Sequence, residues 1–346
     1  MATADIAIVT VIPVEYTAVL NALSDVGCLL ETVHEEGLPD QYGWKTGELT
    51  DAKERVYRVV VACTVLPGPA RMAVAVNTIV ARFQPSQVLL VGIAGGFPLD
   101  DLTRGDVAVS SVIYDYEYGK IADGYQPRLD NTYQVSSTLL NSAVLHNETH
   151  PQWASLLTDG RPKSQSPVPK LLHGAVASGS KVVDDAEYEL FARVLEKWPK
   201  LLAVEMEGAG AVTAIHQANS SRVQVGFLMI RGISDMPKRG GRNKVRTSPP
   251  HTESRRTNSG IRGLMASLPF IGQLFRGGTQ PATGVGNSDE RDTWKKYAAV
   301  VAARFTTHWI RHNWPFSPAR PRSRSERLPA SDDPDDDIPP PTFMSL

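Results

Sequence analysis

Four short stretches hold the side chains that could do chemistry. They are Pro13-Val14-Glu15, Gly92-Ile93-Ala94-Gly95-Gly96, Ala203-Val204-Glu205-Met206-Glu207-Gly208-Ala209-Gly210 and Ile230-Arg231-Gly232-Ile233-Ser234-Asp235. Three of them carry carboxylates, which can pass protons or stabilise developing positive charge. The fourth offers bare backbone. Each has a plainer reading when taken alone. Glu15 at a helix start would suit the helix dipole, and Glu205 and Glu207 could be surface charges on a helix start. Asp235 could cap the segment that follows, and Gly95-Gly96 could be a turn. The glycine stretch is not a GxGxxG fingerprint, so dinucleotide binding gains no support.

The elements around these stretches give them a common address. Ile6 to Ile12 is a continuous apolar, β-branched run, as in a strand covered on both faces. Pro13 then suits a first helical turn, with Val14, Ala18, Val19 and Ala22 at helical spacing. Val56 to Val65 reads as a strand that ends in Pro67-Gly68-Pro69 and continues as a helix through Met72, Ala73, Val76 and Ile79. Gln87 to Gly92 reads as a buried strand broken by Gly95-Gly96, and Asp106 to Ile113 as another. Strands over 174–178 and 223–230, and helices over 186–196, 206–218 and from Trp294 to Trp309, complete the series. This alternation predicts an α/β fold of three layers, with helices on both faces of a central mixed, largely parallel sheet. In such sheets ligands bind at the carboxyl ends of the strands, where all four stretches fall.

Composition narrows the classes. The 346 residues carry 36 Lys+Arg against 37 Asp+Glu, a formal net charge of -1, so general nucleic-acid binding is not expected. Two cysteines, Cys28 and Cys63, exclude a disulfide scaffold and read as buried, inert thiols. No cluster has metal-ligand spacing, and neither a metal nor a cofactor is expected. The N-terminal residues lack the marks of a signal peptide, and no run approaches the ~20 apolar residues of a membrane span. A cytoplasmic location is the expectation. Residues 1–236 and 289–313 read as one domain, 237–288 as a basic, Gly/Pro/Ser-rich insertion, and 314–346 as a disordered tail of Pro, Ser, Arg and Asp blocks.

The order of these stretches resembles the purine nucleoside phosphorylase/uridine phosphorylase superfamily, in its nucleosidase branch. The resemblance rests on Ile8 to Glu15, GlyIleAlaGlyGly (92–96), GlyAspVal (105–107), AlaSerGlySerLysValVal (177–183), ValGluMetGluGlyAlaGly (204–210), ArgGlyIleSerAsp (231–235) and AspThrTrpLysLysTyrAlaAla (292–299). It implies an N-glycosidase that releases adenine from a nucleoside or nucleotide. Asp235 would act as general acid at purine N7, oriented by Ser234 and Arg231. Glu207 would bind the ribose hydroxyls with Met206 under the sugar, Glu15 would activate water, and Glu205 would assist at the water or sugar. Ile93, Ala94, Gly95, Val182 and Val183 would line the substrate. The family also implies a homo-oligomer.

Phosphorylases of this superfamily hold phosphate through an arginine in the first turn, a second before the glycine loop, and a hydroxyl residue within it. Here the first turn is IleProValGlu, and Leu90 and Ile93 stand at the other two positions. An unpartnered phosphate would be badly desolvated there, which favours hydrolysis over phosphorolysis. A non-catalytic nucleotide sensor is the rival from another class. The insertion, with Lys238, Arg239, Arg242, Lys244, Arg246, Arg255, Arg256 and Arg262 against Glu253, reads as solvated charge or as a lid for substrate phosphates.

Overall fold

The β-branched run at the N-terminus becomes β1 (Ile6–Thr10), buried at every position. It sits mid-sheet and covered on both faces, because an edge or an open face would leave those side chains in water. The computed structural model describes residues 3–34, 42–97, 101–122, 125–128, 130–155, 157, 160–162, 168–181, 194–219, 224–236 and 285–318, with side chains from 292 onward in the last segment.

On one side β1 pairs in parallel with β4 (Val56–Cys63), which continues antiparallel into β3 (Lys45–Thr50) and β2 (Leu30–Thr32). On the other it pairs in parallel with β5 (Gln87–Gly96), itself parallel to β12 (Gly226–Asp235). β12 runs antiparallel to β6 (Val107–Asp115), which is parallel to β10 (Leu171–Ser178), and β10 is parallel to β11 (Leu201–Glu205). β11 then meets β5 again, antiparallel, through Ala203 opposite Gly96 and Val204 opposite Gly95. The sheet thus curls until its far edge reaches its middle. β9 (Thr132–Gln134) extends β6, and β7 (Gly119–Ile121) with β8 (Tyr125–Pro127) forms a separate hairpin.

Strand alternation sends neighbouring residues to opposite faces. Ala7, Val9, Val88, Leu90 and Met229 pack under α2 (Pro69–Phe83) and α4 (Gly208–Asn219). Ile6, Ile8, Leu89, Val91, Leu228 and Ile230 pack under α1 (Pro13–Ser24), α3 (Ser137–Thr149) and α5 (Val285–Asn313). The three layers and the mixed sheet are those expected. α5 comes closest at Gly232, where an added Cβ would lie 2.0 Å from the Ala298 carbonyl oxygen.

Several expectations are corrected. Gly95-Gly96 does not break β5 but forms its paired end. Residues Ile230 to Asp235 do not follow the last strand; they are the second half of β12. Leu201–Glu205 is a strand, so the helix expected from Met206 begins at Gly208. α5 begins at Val285, before the expected resumption at 289, and Trp314 is buried beyond the expected end of the domain. The bulk of the insertion, the tail beyond 318, and residues 186–193 of the expected helix lie outside the described residues. No described helix is long and apolar enough to cross a membrane. Both cysteines are buried and outside any disulfide, and burial raises both thiols, that of Cys28 to about 11.

Candidate active site

Glu15 lies in the first turn of α1, where Ile12 at the cap has no side-chain oxygen to offer. The Glu15 carboxylate fills that role and more. Its Oε2 accepts from the amides of Val11 (2.8 Å) and Ile12 (3.1 Å), and its Oε1 accepts from the amide of Ile93 (2.8 Å). The side chain therefore spans from the end of β1 to the middle of β5. Gly92 permits the approach, since a Cβ there would lie 2.4 Å from both Glu15 and Arg231. Burial raises the Glu15 carboxyl above its ordinary range, opposed by the Arg231 charge and the three amides.

Arg231 projects from β12 and is fully enclosed. Its Nη2 donates to Glu205 (2.5 Å) and Glu207 (3.1 Å), while Nη1 lies 3.9 Å from Glu15. One cation thus stands among three carboxylates. Burial alone would lower the guanidinium, but Glu205, Glu207 and Glu15 outweigh it and hold it charged. Glu205 ends β11 and accepts from the amides of Glu207 and Gly208, so its oxygens cap the start of α4. Glu207 is less committed: beyond Arg231 it takes one long hydrogen bond, 3.3 Å, from the Gly68 amide. Burial, then the neighbouring Glu205 charge, pushes Glu207 up to about 7.

Asp235 ends β12 beside Gly95 of β5. Ser234 donates to its Oδ1 at 2.5 Å and also reaches the Ala94 carbonyl. Of the two residues expected to orient Asp235, Ser234 bonds to it, whereas Arg231 is turned toward the glutamates. A cavity of about 330 Å³ brings together Glu15, Glu205, Met206, Glu207, Ser234 and Asp235, with Ile93, Ala94 and Gly95 along one wall. That volume falls within the range of small-molecule sites. Val182 and Val183 lie outside the described residues. Among the described residues no group of three metal-ligating side chains could hold an ion.

The sequence did not reveal the contributions of Val11, Ile12, Gly68, Lys181 and Lys295. The first three act through backbone amides, which carry no residue signature. Gly68 alone had a signal, its place between Pro67 and Pro69, and its φ of 125° belongs to glycine. GlyAspVal proves architectural. Asp106 binds Arg161 at 2.8 Å and the Lys170 amide at 3.0 Å, pinning the start of β6.

The same arrangement of chain recurs elsewhere. A methylthioadenosine/S-adenosylhomocysteine nucleosidase of Neisseria meningitidis, solved with methylthio-immucillin-A, superposes with a TM-score of 0.54 at 18% identity, covering 89% of this chain and 99% of that one. The Colwellia psychrerythraea nucleosidase, solved with adenine, gives 0.55 at 18% identity over 89% and 96%. By sequence, the 5'-methylthioadenosine/S-adenosylhomocysteine nucleosidase of Shewanella frigidimarina is 26% identical over 207 residues, covering 60% of this chain and 78% of that protein. The Desulfotalea psychrophila nucleosidase is 26% identical over 172 residues, 49% of this chain, which spans 63% of that protein's length. The family model for the phosphorylase superfamily matches residues 5–259, so this chain belongs to the phosphorylase superfamily.

Proposed function

We propose that the protein is a purine nucleosidase that hydrolyses an N-glycosidic bond and releases adenine. The observation that carries this is the placement of Glu15. Three converging amides make a natural seat for an anion. Here the protein's own carboxylate occupies it, so an attacking phosphate would meet negative charge instead of donors. Water suffers no such repulsion. A carboxylate raised by burial is also better matched to removing a proton from water near neutral pH.

The remaining roles follow from the cavity. Asp235, held by Ser234, protonates the departing base at N7. Glu207, with oxygen capacity left over, accepts the ribose hydroxyls and stabilises the oxocarbenium-like sugar. Glu205 is a positioning residue, since its oxygens hold α4 and Arg231. The names of the relatives, all methylthioadenosine/S-adenosylhomocysteine nucleosidases, support adenine as the leaving base.

The test is chromatographic detection of free adenine from methylthioadenosine, S-adenosylhomocysteine, adenosine and AMP, each with and without phosphate. Release in phosphate-free buffer is the expected result. Release that requires phosphate would establish a phosphorylase and overturn the reading of Glu15. Tight binding of these ligands with no release would establish a sensor.

A further inference from the structure

The cavity holds two cations for which hydrolysis alone has no use. Lys181, three residues past the end of β10, and Lys295, on α5, both line it together with Glu15, Glu207 and Asp235. The position of Lys295 is fixed by packing. Ala298, three residues along the same helix, lies against Gly232, and Trp294 and Tyr297 lie against Gly105, whose amide donates to the Ile233 carbonyl. The helix therefore runs opposite to β12, and Lys295 stands level with the carboxyl end of the strand, where Asp235 sits.

The charges around these lysines are unequal. Arg231 is spent on the buried glutamates. Lys181 is paired with Glu117. Among the described residues the ion pair of Lys295 is with Asp292, at 4.0 Å, and the Asp292 side chain is 77% exposed. A pair of that length and exposure contributes little. Lys295 thus keeps most of its charge for whatever enters the cavity.

A purine nucleoside placed as above leaves one part unrecognised. Its base meets Asp235 and its 2′- and 3′-hydroxyls meet Glu207, so the 5′ substituent remains. A neutral 5′ group would gain nothing from an ammonium group, whereas a phosphate would gain a charge-assisted hydrogen bond. Resting on the hydrolase reading of this same cavity, we propose that Lys295, with Lys181 beside it, binds the 5′-phosphate of a purine nucleotide and selects nucleotides over nucleosides. This phosphate belongs to the substrate. It does not compete for the Val11, Ile12 and Ile93 amides that Glu15 fills.

The experiment compares kcat/KM for adenine release from AMP and from adenosine, in the wild-type chain and in Lys295→Gln and Lys295→Arg variants. In the wild type AMP is preferred. The AMP-to-adenosine ratio falls about tenfold to a hundredfold in Lys295→Gln, as expected for losing a hydrogen bond to a charged group. It is largely restored in Lys295→Arg, which keeps the charge. A ratio unmoved by Lys295→Gln, or a wild-type preference for adenosine, overturns the proposal while leaving the hydrolase reading intact. If neither substrate is cleaved, calorimetric affinities decide the phosphate site, and the hydrolase reading is decided separately by adenine release from methylthioadenosine and S-adenosylhomocysteine. AMP binding weakened in Lys295→Gln by a similar factor sustains it, and equal AMP affinity in the two proteins overturns it.

Discussion

In the proposed mechanism Asp235 and Glu207 divide the work at the scale of single residues. The Asp235→Asn variant keeps the acceptor for Ser234 but has no proton to give. Its kcat is expected to fall about 10²- to 10⁴-fold with KM little changed, in single-turnover assays of adenine release. Glu207 supplies the pH dependence. Burial and the Glu205 charge push it up to about 7, so its ionised form is lost as pH falls below neutrality. KM for the nucleoside should therefore rise between pH 8 and pH 6. The Glu207→Gln variant should show a high KM and no dependence in that window. A wild-type KM constant across it would remove Glu207 from the sugar. The same shift acts on stability in reverse. Between roughly pH 4.5 and 7 the folded chain holds a proton that the unfolded chain has shed, so this group's contribution weakens as pH rises.

Among the elements, α3 and α5 carry an opposing titration. His146 is fully buried on α3, its Nε2 2.8 Å from the His308 Nδ1 on α5, and His150 and His312 stack one turn further along. Burial, then the neighbouring imidazoles, lowers His146 to about 3 and His308 to about 4, and Arg311 pushes the same way on His308. An unfolded imidazole takes its proton near 6.5. The stability these helices contribute is thus complete above that pH and is lost as pH falls below it. In thermal melts at pH 7.5 and pH 5, His146→Leu should lose less than the wild type. The difference should be a few degrees, at about 2–4 °C per kcal/mol. An identical loss in both proteins would place the acid sensitivity elsewhere. The helices also show what a sequence conceals. β1, β4, β5 and α1 were legible because long apolar runs and a proline mark them. α3 was not, because its buried stripe of Leu139, Ala143 and His146 includes a residue that reads as polar. The edge strands β2, β7 and β8 are three residues each, too short and too exposed to leave a pattern. The site carboxylates were legible from their order along the chain. The amide seat of Glu15 and the facing of Lys295 arise only when β1, β5 and α5 are assembled.

For the molecule as a whole, the position of the site follows from the curl of the sheet. Strands that are distant in sequence, β1, β5, β11 and β12, are brought together in one curled sheet, and residues at or just past their carboxyl ends line one cavity. The contact of β11 with β5 then acts as a seam. Beside the antiparallel pairs at Gly95 and Gly96, the Phe97 amide donates to the Leu202 carbonyl at 3.0 Å. Glu205 lies one residue beyond this seam, and Asp235 lies beside Gly95 at its other side. The carboxylates proposed for catalysis are therefore tied to the interior instead of hanging from loops that open locally. In hydrogen-exchange measurements the amides of Gly96 and Phe97 should be among the slowest in the chain, exchanging only through complete unfolding. Loss of the proposed activity on heating should then track global melting, with no temperature at which the protein is folded yet idle.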